Sequence, residues 1–255
     1  MKARLNVKLR TLSIVASILA VASCSSALRK DSFATIQVYR IDTGMANVYL
    51  IKGEKLIMVD TSIPGKQEFV VQKIQELGFK PEDIALIIVT HGHGDHAGSA
   101  KAFQEKYHIP IAGGQGDLDK FSSGKTDLGK AVSIGVMARL IRGMSDKPYP
   151  AFTPDIVVNK EMPLSKYGFE NGSILPLAGH TPGSLVVKIG DVAFVGDLIR
   201  GGVVLNSSPT EHFYHENREM AKEKLKAFMQ TGVRTFYPGH FGPLSATDVE
   251  SYLSD

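Results

Sequence analysis

The sequence predicts an α/β protein. Segments of alternating or continuous apolar residues, read as strands, recur from Thr35 to Tyr237. Segments with apolar residues at helical spacing and glycine stops separate them. Some strands, such as residues 84–90 (Ile-Ala-Leu-Ile-Ile-Val-Thr), are apolar throughout, which marks burial on both faces.

The first 23 residues stand apart from that pattern. Lys2, Arg4, Lys8 and Arg10 form a basic start without an acidic residue, and a mostly apolar run follows from Leu12 to Ala22. The run is too short to span a bilayer comfortably, and its flanks suit a signal peptide. It ends at Val21-Ala22-Ser23-Cys24, which resembles a bacterial lipobox, with Cys24 as the lipidated residue. Cys24 is the sole cysteine, so an intrachain disulfide is excluded. The expectation is an exported protein of the bacterial cell envelope, periplasmic or cell-surface, held at the membrane through a lipid on Cys24. Residues 1–23 are the leader, 24–33 a tether and 34–255 one domain.

Composition fits this division. Of 255 residues, 43% are hydrophobic and 22% charged, ordinary for a globular protein. The whole chain has 29 basic and 26 acidic residues; taking away the leader's four basic residues leaves 25 against 26. No basic patch or stripe marks a nucleic-acid partner.

Residues 35–41 alternate as a half-buried strand, and residues 47–52 and 55–60 form two more around a Gly53-Glu54 turn. Residues 66–77 have a helical period stopped by Gly78, and residues 97–107 read as another helix. The pattern loosens from 113 to 147. There a helical stretch over residues 128–142 is expected to pack over the domain as an insertion, and Met137, Leu140, Ile141 and Met144 could form either a lid or a core stripe. Strands return at 156–158, 174–177, 185–189 and 192–195. A long helix over 215–230, a strand at 235–237 and a helix at 246–253 complete the chain.

The chemistry gathers after the buried strand. His91-Gly-His93-Gly-Asp95-His96 sets three histidines and an aspartate within six residues. Imidazole and carboxylate are the ligands that zinc-like metals prefer, and a structural loop has no need of this spacing. Gly92 and Gly94 remove bulk between the ligands. Further candidates stand after glycines at the ends of expected strands: His180, Asp197 and His240.

Together these motifs resemble the metallo-β-lactamase-like superfamily: Asp60 in Met-Val-Asp-Thr, Thr-His-Gly-His-Gly-Asp-His-Ala-Gly, Gly-His180-Thr-Pro-Gly, Gly-Asp197 and Gly-His240. The resemblance implies a four-layer αββα sandwich, two mixed sheets face to face with helices outside. It implies that His91, His93 and His180 hold one metal, that Asp95, His96 and His240 hold a second, and that Asp197 bridges them. Asp60 would orient ligands from behind. The implied cofactor is two zinc ions per chain, with iron or manganese also accommodated. The implied chemistry is hydrolysis by a metal-bridged hydroxide, with Asp95 and Asp197 at the reacting centre.

An aspartate at position 197 resembles the glyoxalase II and lactonase branches more than the true β-lactamases. Only 15 residues follow His240, which argues against a glutathione-binding C-terminal region. The expected substrate is a small ester, thioester or lactone. An exported lactam hydrolase and a non-catalytic envelope binding protein are the alternatives. His108, His212 and His215 are expected as surface or helix-start residues, because the ligand sphere is already full. Tyr214 and His215 could line the pocket, and Arg200 could contact an anion.

Overall fold

In the computed structural model, which describes residues 27–128 and 131–254, two sheets form the centre. Four antiparallel strands open the first: β1 (Leu28–Ser32), β2 (Gln37–Asp42), β3 (Asn47–Lys52) and β4 (Leu56–Val59). Helix α1 (Gln67–Glu76) then carries the chain to β5 (Ile84–Val89), parallel to β4. Helices α2 (Gly94–Ala97) and α3 (Ala100–Tyr107) lead to β6 (Ile111–Gly114), parallel to β5. After α4 (Leu118–Ser123), β7 (Val132–Ser133) and α5 (Gly135–Ser145), β8 (Ile156–Val158) completes the sheet beside β6. Its strand order is β1-β2-β3-β4-β5-β6-β8.

The second sheet starts with β9 (Met162–Pro163), β10 (Gly172–Pro176), β11 (Leu185–Ile189) and β12 (Val192–Gly196), all antiparallel. A small pair, β13 (Arg200–Gly201) with β14 (Pro209–Thr210), lies outside it, and β15 (Tyr214–His215) pairs back onto β7. Helix α6 (Arg218–Met229) returns the chain to β16 (Thr235–Pro238), parallel to β12, and β17 (Leu244–Ser245) and α7 (Ala246–Ser254) finish it.

Alternation along the strands sorts side chains into layers. Tyr49, Ile51 and Ile57 of the first sheet meet Val187, Ile189 and Phe194 of the second in one core. Their neighbours Leu50 and Met58 point the other way, against Val70 and Ile74 of α1 and Phe103 of α3. Val186 and Val195 turn outward onto Leu225 of α6 and Val249 of α7. The result is the expected helix–sheet–sheet–helix sandwich. The sheets are also tied by polar contact: the Tyr49 hydroxyl of β3 donates to the Pro238 carbonyl of β16 at 2.6 Å. Tyr49 packs on Phe194 and Tyr237, which stack at 5.1 Å.

Several elements depart from the sequence reading. Residues 28–32, read as part of a tether, pair along β2 as an edge strand, because polar side chains are tolerated where one strand edge faces water. The helix read over 128–142 is displaced to Gly135–Ser145, preceded by a two-residue strand, and the side chains of Met137, Leu140, Ile141 and Met144 lie outside the described residues. Leu128, Ala131 and Ala138 pack with Tyr214 as a small separate core, so this insertion is anchored to the loop before α6. The helix read over 97–107 is two helices, the first beginning inside the histidine cluster at Gly94. Residues 1–26, with Cys24 and the leader, lie outside the described residues.

Strand β6 went unread because Ile-Ala-Gly-Gly has poor strand propensity. The fold needs the glycines: a Cβ on Gly114 would run into the Gly183 carbonyl, and one on Gly116 into Pro182. The turn after β6 therefore lies backbone to backbone against the loop that carries His180. Gly114→Ala should push these loops apart and destabilise the protein by about 1–3 kcal/mol. Chemical denaturation reads this, and an unchanged midpoint would contradict the close approach.

Candidate metal centre

The candidate ligands sit where parallel strands end. β5 runs into His91, His93, Asp95 and His96; β12 ends at Asp197; β16 ends at His240; and the turn between β10 and β11 carries His180. Neighbouring parallel strands put their C-terminal ends at one edge of the sandwich, so residues distant in sequence converge.

The structure brings these side chains into two neighbouring sets. His91, His93, His180 and Asp197 each offer one ligand atom within 4.8 Å of the others, and so do Asp95, His96 and His240. His180 Nε2 lies 3.2 Å from His91 Nε2 and 3.0 Å from His93 Nδ1. Asp197 Oδ2 is the hub, at 3.7 Å from His91, 3.6 Å from His180, 3.3 Å from His96 and 3.4 Å from His240. Asp95 Oδ2 lies 3.3 Å from His240 Nε2.

The far nitrogens explain how the rings are aimed. His180 Nδ1 donates to the Tyr214 carbonyl and His240 Nδ1 to the Met45 carbonyl, each at 2.7 Å. His96 Nδ1 meets Asp60 Oδ2 at 2.8 Å. Carbonyls and carboxylates only accept, so these rings carry their proton on Nδ1 and turn an unprotonated Nε2 inward when neutral. Asp60 is itself pinned, accepting from the Thr90 amide at 2.7 Å and the Thr90 hydroxyl at 2.8 Å. It takes a left-handed backbone conformation at φ 63°, open to aspartate, as the chain leaves β4.

Such an arrangement fits a cation. Lone pairs face lone pairs and a carboxylate across about 3 Å, and Nε2 of His93, His96 and His240 and Oδ1 of Asp197 are buried without a hydrogen-bond partner. Electrostatics divides the histidines. Burial holds His91 and His180 well below the usual histidine range and lowers His93 to about 3, so these three stay neutral. Burial also opposes charge on His96 and His240, but Asp197 and Asp95 overcome it; His240 is raised to about 10. For Asp197, burial is outweighed by His212, His96 and His240, which keep it ionised.

Asp117 escaped the sequence reading, and His212 and His215 lie deeper than it placed them. Asp117 is buried and braces the site: its carboxylate accepts from the amides of Gly92 and Gly183 and from the Thr181 hydroxyl, at 2.8, 3.0 and 2.7 Å. It joins the His91–His96 turn to the His180 loop. His212 and His215, expected at the surface or a helix start, are both buried, at 4% and 2% exposure. His212 Nε2 stands 3.0 Å from Asp197 Oδ2, and the His215 ring packs edge-on against His180. The helix read from 215 begins three residues later, after β15 has drawn both rings inward. The available signal was numerical, since seven of the eight histidines gather here and only His108, capping α3, stays exposed. Arg200 is also buried; its guanidinium lies over the Phe213 ring and donates to the Gly201 carbonyl.

Over residues 41–240 the chain matches the metallo-beta-lactamase superfamily. The chain belongs to that superfamily. Its histidines and aspartates therefore form a divalent-metal site of a metallo-hydrolase fold. Among curated relatives, hydroxyacylglutathione hydrolase GloC of Haemophilus influenzae is 32% identical over 142 residues, covering 54% of this chain and 60% of that enzyme's length. Among solved structures, BJP-1, a subclass B3 metallo-beta-lactamase of Bradyrhizobium japonicum, aligns with a TM-score of 0.57 at 21% identity, over 82% of this chain and 76% of that one. TTHA1623 in a di-iron-bound form aligns at 0.56 and 22% identity, over 80% and 91%. At these identities the solved structures share the fold.

Removing Asp60 frees His96 Nδ1 and leaves the ring unaimed. Asp60→Ala should weaken metal binding by about 10–100-fold, the usual effect of losing a residue that orients a ligand. Competition with a chromophoric chelator measures this, and wild-type affinity would remove Asp60 from the centre.

Proposed function

We propose that this metallo-beta-lactamase superfamily protein is a two-metal hydrolase of small esters, thioesters or lactones with an apolar acyl group. The observation that carries it is the pair of ligand sets beneath a cavity of about 180 Å³, with Asp197 of the first set 3.3 and 3.4 Å from His96 and His240 of the second. His93, Asp95, Asp197 and His240 lie on the cavity's polar side, while Met45, Leu128, Phe213, Tyr214 and Phe241 give it an apolar wall. Ligand pockets usually run to about 300–1,000 Å³, so this one suits a small acyl group. An apolar wall disfavours a phosphoryl substrate, whose charged oxygens would lose hydration there.

Two divalent cations would be held by His91, His93 and His180 and by Asp95, His96 and His240, with Asp197 common to both, and would supply Lewis acidity and activate water near neutral pH. The chain's own part is positioning and proton handling. Burial keeps His91, His93 and His180 neutral and so available as donors. Asp95 is partly exposed, borders the cavity and is held ionised by His96 and His240 against the effect of burial. It can accept the proton lost by an attacking water and return it to the departing alkoxide or thiolate. Leu128 and Tyr214, tied together in the small core of the insertion, exclude water from the acyl side. GloC acts on hydroxyacylglutathione by its name, which supports keeping thioesters in the substrate class.

The test is a metal-loaded protein assayed on acyl esters, thioesters, lactones and a β-lactam. Two metals per chain are expected, with activity lost to a chelator and restored by zinc. Across acetyl to butyryl esters, kcat/KM should rise about 4-fold per methylene, the equivalent of ~0.8 kcal/mol of apolar burial. Fewer than two metals per chain after loading, or a β-lactam as the preferred substrate, would overturn the reading.

We also propose that residues 1–23 are cleaved and that Cys24 carries the lipid anchor, on the strength of the basic and apolar leader. Cys24→Ser should move the protein from the membrane fraction to the soluble fraction of the producing bacterium. Unchanged partitioning would count against the anchor.

A further inference from the structure

The seven ligands of the proposed centre leave His212 unused, although it lies in the same cluster. Its Nε2 stands 3.0 Å from Asp197 Oδ2, nearer than His91, His96, His180 or His240 at 3.3–3.7 Å. Asp197, His212 and His240 offer ligand atoms that all fall within 4.8 Å of one another. The His212 ring lies nearly parallel to that of His240 at 5.2 Å and edge-on to that of His180 at 4.7 Å. It also borders the cavity above the site.

The orientation of this ring matches that of a ligand. His180 donates from Nδ1 to the Tyr214 carbonyl, and the same oxygen lies 3.3 Å from His212 Nδ1. A carbonyl oxygen has two lone pairs and only accepts. With Nδ1–H on that oxygen, each ring presents an unprotonated Nε2 to the centre, the tautomer that metal binding requires. One backbone carbonyl would then aim two imidazoles. A competing arrangement exists: the Tyr214 amide also lies 3.3 Å from His212 Nδ1. If that amide donates, His212 carries its proton on Nε2 and donates it to Asp197.

We infer that His212 is an eighth protein ligand, binding through Nε2 the cation that His240 holds. The inference rests on the two-metal reading above. Its chemical consequence is a centre with a sixth imidazole, which favours zinc, iron or nickel over oxygen-seeking magnesium or manganese.

Two measurements test it. Long-range proton–nitrogen NMR on zinc-loaded protein with 15N-labelled histidine should show His212 protonated at Nδ1, with Nε2 bare and metal-shifted. His212→Gln supplies the assignment. A proton on Nε2 would overturn the inference and make His212 a positioning residue for Asp197. The second measurement is cobalt titration of His212→Gln, whose amide can still donate to Asp197 but is a poor ligand for such a metal. The second cobalt equivalent should bind about 10-fold or more weakly, with altered d–d absorption and unchanged circular dichroism. Wild-type affinity and spectrum in this variant would also overturn it. Uptake of fewer than two metals by the wild type removes the two-metal reading and His212's role together. Two metals with Nε2 protonated removes only the latter.

Discussion

Asp197 places an ionised carboxylate where water does not reach, and the imidazoles of His91, His96, His180, His212 and His240 converge on one of its oxygens. Taking a carboxylate out of water costs on the order of several kcal/mol unless positive charge stands close by. Three of the neighbouring histidines offer none of their own. Those at 91, 93 and 180 are kept neutral by burial, and the rings at 96, 180 and 240 have their far nitrogens committed to oxygen acceptors. Positive charge must therefore arrive as protons on His96 and His240 or as metal cations. A site built this way binds divalent metal because its own lone pairs and its carboxylate need it.

The sandwich holds that arrangement in place. Two pairs of parallel strands, β4 with β5 and β12 with β16, end at the same edge and deliver Asp60, the histidine cluster, Asp197 and His240. Beneath them Tyr49, Phe194 and Tyr237 lock the sheets together, and Tyr49 reaches the Pro238 carbonyl two residues before His240. Across the top, Asp117 ties the cluster turn to the His180 loop through three accepted hydrogen bonds. Burial raises its pKa, which those donors resist. The close backbone approach of Gly114 to Gly183 lets this brace form.

Much of this was legible beforehand where signal is local. The strands at 47–52, 156–158 and 185–189 show in their apolar patterns, and the candidate ligands stand out because three histidines and an aspartate crowd into residues 91–96 while His180, Asp197 and His240 each follow a glycine. The rest was hidden for physical reasons. β6 carries two glycines that a propensity reading penalises, though packing demands them. The edge strand at 28–32 has one apolar residue, Leu28, and is held mainly by its backbone pairing with β2. In the insertion, a short strand and a displaced helix replace the single helix expected, because pairing with β15 outweighs local helical preference.

The sequence by itself determined the layered α/β class, the superfamily and the candidate metal ligands His91, His93, Asp95, His96, His180, Asp197 and His240. Those depend on residue type and local spacing. Tertiary structure alone decided the roles of His212, His215 and Asp117. Nothing in Glu-His-Phe-Tyr-His announces that a two-residue strand will pair with β7 and turn both rings inward, nor that the Tyr214 carbonyl between them will face the candidate ligand His180. Contacts between segments 15 to 83 residues apart in the chain leave no periodic trace. They arise when the sheets close and bring one buried carboxylate among the rings.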